Sequence, residues 1–187
     1  MSVRSVCYGL ALSCILSPAL AETISEALSD FGLIGTWSVD CGRDITTPCS
    51  RGGCAIRHIF EAPPLGSPTK SILTGPSEFG TQPTKTTVPI EAAARITSDK
   101  IRISYTRAGG IDRADNQPWM PHAGDKWETI YEKLGEKLRT VNDQRSDGKI
   151  VMIKEGVFYL PKKHGGEDPT SWEATGQQVP ILERCQN

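Results

Sequence analysis

The chain has 187 residues and carries 21 Lys and Arg against 22 Asp and Glu. So even a balance argues against the basic face that grips nucleic acid and against a polybasic membrane anchor. Its 18 Gly and 13 Pro recur between short β-branched runs rather than in one tract, which predicts many turns and brief strands, all-β in class.

Residues 1–21 read as a cleavable signal peptide. Arg4 precedes an apolar run from Val6 to Leu16, Pro18 breaks it, and Ala19-Leu20-Ala21 supplies the small-x-small pattern for cleavage before Glu22. The run is shorter than the about 20 residues a transmembrane helix needs. A lipoprotein reading with Cys14 as the lipidated residue is disfavoured, because Ala11 stands where such a motif places leucine. Removing 21 of the 187 residues takes away one basic and no acidic residue, leaving a net charge of −2. Residues 22–187 are expected to form one domain, periplasmic or secreted, without a stable membrane anchor.

In chain order, residues 23–31 place Ile24, Ala27, Leu28 and Phe31 at helical spacing before Gly32, which predicts one short amphipathic helix. Strands are then predicted near Ile34–Cys41, Cys54–Ala62, Lys70–Thr74, Ile90–Thr97, Lys100–Arg107, Lys126–Leu134, Lys137–Arg145, Lys149–Leu160 and Val179–Cys185. Ser98-Asp99, Gly135-Glu136 and Asp147-Gly148 read as tight turns between them. Sequential short strands without crossover helices imply an antiparallel up-and-down meander. Closing it into a barrel of eight or nine strands hides its edges. Alternate loops of a meander share one end, so the long loops at 42–53, 75–89 and 108–125 gather at one elaborated mouth. A further long loop is expected at 161–178.

The two-residue period assigns faces. Trp37, Val39 and Cys41 share one face, as do Cys54, Ile56, His58 and Phe60, and as do Ile101, Ile103 and Tyr105. In the strand from Lys126, Trp127, Thr129 and Tyr131 oppose Ile130 and Leu134, and the pattern does not choose which set points inward.

Four cysteines follow the signal peptide, and in an exported chain they read as two disulfides. Cys41–Cys185 would tie the first strand to the last, with Cys49–Cys54 closing a small loop; Cys41–Cys54 is the main competing pairing. Cys41, Cys49, Cys54 and His58 also have the spacing C-x7-C-x4-C-x3-H, which is similar to a zinc finger. An oxidising destination, and the cysteine that zinc would strand at 185, favour disulfides. No metal or cofactor is expected.

The short helix followed by Gly35-Thr36-Trp37 at the start of the first strand resembles the Gly-x-Trp motif of the lipocalins and the wider calycin group. The resemblance implies an antiparallel barrel holding a small, usually apolar ligand in its mouth, with a disulfide often engaging the C-terminal segment. The later Thr-Asp-Tyr-type motif of lipocalins is missing. Lipocalins also pack an arginine across the tryptophan, and Arg184 is the late candidate. On an extended strand, a Cys41–Cys185 bridge puts Arg184 roughly 10 Å from Trp37, so bridge and stack are expected to exclude one another. In outline the chain is also similar to small exported bacterial protease inhibitors, compact barrels with an early tryptophan.

Catalytic signals are absent from the sequence. No serine sits in a Gly-x-Ser-x-Gly elbow, and Gly52-Gly53 lacks the lysine of a phosphate loop. Disulfides leave no free thiol, His58 lies on an apolar face, and His122 and His164 fall in long loops. The chain is therefore expected not to be an enzyme. Trp37, His58, Tyr105, Trp127 and Tyr131 combine aromatic bodies with polar tips, as a ligand pocket or a filled barrel would, and Trp119 offers a lid from the 108–125 loop. Trp172 occupies the loop at 161–178. These residues point to binding of a small hydrophobic or amphiphilic molecule. The alternative is a protein-binding barrel, such as an inhibitor of a hydrolase in the same compartment, using the loops around Cys49–Cys54 and Trp119.

Overall fold

A computed structural model describes residues 22–49, 54–76, 82–108, 122–162 and 171–186. The first element is helix α1 (Ile24–Phe31). Thr23 and Glu26 close a reciprocal capping box, and Gly32 ends the helix in the left-handed region at φ 77°. Its Ala27, Leu28 and Phe31 are buried, the last two in the main core.

Eleven antiparallel strands follow among the described residues: β1 (Gly35–Ser38), β2 (Ile56–Glu61), β3 (Thr69–Thr74), β4 (Thr84–Arg95), β5 (Lys100–Thr106), β6 (Lys126–Leu134), β7 (Lys137–Arg145), β8 (Val151–Lys154), β9 (Val157–Pro161), β10 (Trp172–Gln178) and β11 (Leu182–Arg184). They hydrogen-bond in the order β10-β9-β8-β7-β11-β1-β2-β3-β4-β5-β6, and β6 returns to β7. That last pairing closes an eight-stranded meander barrel of β1 to β7 with β11. Strands β8 to β10 branch away from it, because β7 divides one edge between two partners. Lys137 and Leu138 face β11, whereas Asn142 to Gln144 face β8. No helix among the described residues is long and apolar enough to cross a membrane.

Both disulfides form as Cys41–Cys185 and Cys49–Cys54. Such bonds suggest an oxidising, extracellular-type compartment. The mouth loops are also tied side by side: Cys49 N–H donates to Pro76 O and Gly75 N–H to Ala55 O, both at 2.8 Å.

Several expectations are corrected. The strand expected over Ile34–Cys41 stops at Ser38, where the chain bends and turns, so Val39 is 55% exposed rather than sharing the face of Trp37. Ser38 anchors that bend by donating Oγ to Ile56 O at 2.8 Å. The same bend resolves the expected conflict at Arg184. Cys41 folds back towards β11, and Arg184, directly opposite Trp37 in register, lies 5.7 Å from its ring while the Cys41–Cys185 bond is made. Disulfide and stack coexist.

Ile56 is 41% exposed and does not join Phe60 inside. The run Lys149–Leu160 is two strands, split by a tight turn in which Glu155 (φ 54°) and Gly156 (φ 75°) are both left-handed. The span 161–178, expected to be loop, contains β10, and β4 begins at Thr84 inside the expected 75–89 loop.

Candidate functional site

Cross-strand partners share a face, so the register determines what enters the barrel. Trp127, Thr129 and Tyr131 of β6 are all buried, which settles the strand whose facing the sequence left open. Their partners on β7 are Arg145, Asp143 and Thr140. Strict alternation would not bring both 140 and 143 inward. A bulge at Val141, between the pairs Ile130–Asn142 and Tyr131–Thr140, resets the parity and does so. Across the barrel, Phe60 pairs with Lys70, Lys70 with Val88, and His58 with Ile72.

These positions enclose a cavity of about 270 Å³. Its polar lining includes His58, Lys70, Tyr105, Thr129, Tyr131 and Asp143, and its apolar lining includes Ile72, Val88 and Ile153. Arg107 and Ala108, where β5 runs into the 108–125 loop, also line it.

Lys70 is only 5% exposed. Its Nζ donates to Tyr105 Oη at 3.1 Å and lies 4.5 Å from the Tyr105 ring centroid and 5.6 Å from that of Tyr131. Tyr105 Oη in turn shares a 3.3 Å hydrogen bond with Thr129 Oγ1, and Thr129 Oγ1 donates to Asp143 Oδ1 at 2.6 Å. Proton counting gives this chain a direction. An ammonium only donates, and the single hydroxyl proton of Thr129 is spent on Asp143, so the Tyr105 phenol accepts from Lys70 and donates to Thr129. Trp127 Nε1 donates to the same Asp143 oxygen at 2.7 Å. Ammonium and carboxylate are thus linked through two hydroxyls rather than paired directly.

Burial works against the charge on Lys70. The phenol oxygens of Tyr105 and Tyr131 and the Asp143 carboxylate outweigh it, and the ammonium titrates above the ordinary lysine range. Burial pushes Tyr131 up to about 12, against the opposing charge of Lys70. His58 moves the other way. Burial first, and the Lys70 charge second, lower it to about 4, so its ring is neutral at neutral pH. Its Nδ1 is buried and has no hydrogen-bond partner.

Of the six residues expected to contact ligand, His58, Tyr105 and Tyr131 line the cavity together. Trp127 is buried outside the lining, holding Asp143, with the Arg107 guanidinium 5.0 Å from its ring. Trp37 sits in the core with Nε1 donating to Leu33 O at 2.8 Å, outside the cavity wall. Trp119 lies outside the described residues. Trp172 is on β10, packed against the core, and donates to Lys149 O at 2.8 Å. Lys70, Arg107 and Asp143 are cavity residues that the sequence did not single out. Among the described residues no group of His, Cys, Asp or Glu is arranged to hold a metal ion.

No family model matches the chain, and neither a curated protein nor a solved structure matches it.

Proposed function

We propose that this chain is an exported container, a barrel that binds one small amphiphilic molecule in the cavity beneath its loop-rich mouth. The observation that carries this reading is the cavity itself. It combines apolar walls with a buried ammonium, two phenols and an unpartnered imidazole nitrogen, a mixture suited to orienting a ligand as well as burying it. A barrel selected only for stability would gain by filling that space with side chains. Removal of the 1–21 segment and release into the periplasm or medium fit the two disulfides.

The same reading makes the protein a binder rather than an enzyme. Lys70 Nζ is engaged with Tyr105 Oη, and Asp143 Oδ1 is occupied by Trp127 and Thr129, so neither group is presented as a free base.

Native mass spectrometry of the protein purified gently from its own compartment tests the proposal. The expected result is a one-to-one adduct that leaves on denaturation. A bare mass that co-purifies with a second protein would favour the hydrolase-inhibitor reading and overturn this one.

A further inference from the structure

The charges around the cavity bear on what enters it. Lys70 makes no ion pair within 4.0 Å among the described residues, and neither does Arg107, whose guanidinium instead covers Trp127. The one carboxylate among the described lining residues, Asp143, stands two hydrogen-bonded side chains from the ammonium and already accepts two hydrogen bonds at Oδ1. Among the described residues the lining therefore has two cations against one anion, and the more deeply buried cation lacks a counter-charge in contact. An ammonium offers three donors. Tyr105 takes one, and donors remain for an occupant. His58 adds a buried ring nitrogen without a partner on the same lining.

Resting on the container reading, we infer that the occupant is a small organic monocarboxylate, with its carboxylate against Lys70 and its apolar body along Ile72, Val88 and Ile153. A cation would meet the like charges of Lys70 and Arg107 unfavourably. A neutral alcohol could satisfy a donor but would bring the ammonium no counter-charge in contact. The described lining leaves about 270 Å³, room for a small aliphatic or aromatic acid.

Calorimetric titration of the purified, disulfide-bonded protein with octanoate, 1-octanol and octylammonium tests the inference, alongside the Lys70→Met variant. Octanoate should bind the wild type at least about tenfold tighter than either other probe, a difference of about 1.4 kcal/mol. In K70M the octanoate preference should vanish while 1-octanol binds as well as before or better. Equal binding of octanoate and 1-octanol by the wild type overturns the inference and leaves the container reading standing. So does an octanoate preference that survives in a folded K70M. Failure of all three probes to bind overturns the container reading and the inference with it. The comparison on wild type stands alone if K70M does not fold.

Discussion

His58 illustrates how one side chain couples the site to stability. Its folded-state value of about 4 lies below the ordinary 6.5, so between those values the unfolded chain takes up a proton that the folded chain refuses. The contribution is fully present above pH 6.5 and is lost as pH falls towards 4. Across that interval the loss is at most about 3 kcal/mol, at about 1.36 kcal/mol for each pH unit. Urea unfolding between pH 7 and pH 4 should show the wild type losing up to that much more stability than His58→Leu. Equal losses would mean that His58 titrates normally. At this scale the sequence was informative where alternation was clean. Ile101, Ile103 and Tyr105 are all buried, as their spacing implied. Lys70 was obscured because Ile72 and Leu73 are both apolar and do not reveal which parity faces inward. Asp143 was hidden by the bulge at Val141, which breaks the very periodicity that would have exposed it. The glycine of Gly-x-Trp also has a local cause. Gly35 adopts φ 134°, and a Cβ there would come within 3.2 Å of Arg184 Nε.

Among the elements, the two disulfides differ most in what they hold. Cys41–Cys185 spans 144 residues and fixes β11 beside β1, whereas Cys49–Cys54 spans 5. Loop-closure entropy makes the long bridge worth about 5 kcal/mol and the short one about 2 kcal/mol. Denaturant titration should therefore find Cys41→Ser/Cys185→Ser more destabilised than Cys49→Ser/Cys54→Ser by about 3 kcal/mol. The reverse order would mean that closure through β11 contributes little. Element boundaries were legible where a turn carried its own chemistry, as at Asp147-Gly148. They failed at Glu155-Gly156, because a glutamate in the left-handed region is not a turn signal and the flanking residues keep β-forming character. Strand β10 was missed for a related reason. Its WEATGQQ stretch is exposed along nearly its whole length, so it shows no hydrophobic alternation; pairing with β9 and the Trp172 side chain hold it.

For the whole molecule, a closed barrel with a three-stranded branch implies uneven stability. Trp127 and Ile103 on neighbouring strands β6 and β5 are fully buried and paired on both sides, while β10 is a solvent-facing edge. Amide hydrogen exchange should be slowest in β5 and β6 and fastest in β10 among the strands. Comparable protection in β10 would mean that another surface covers it. Local chemistry along the chain determined the helix with its Gly32 stop, the all-β class, the antiparallel meander and the presence of two disulfides, because each rests on neighbours within a few residues or on the count of thiols; which thiols pair was decided by the fold. The tertiary structure alone decided which strand closes the ring, that β7 serves two partners, and that Lys70, Tyr105, Thr129 and Asp143 form one directed chain. Those four residues come from four strands spread over more than seventy positions. No periodicity within any one strand records its register against the others, and it is register that turns scattered polar residues into a site.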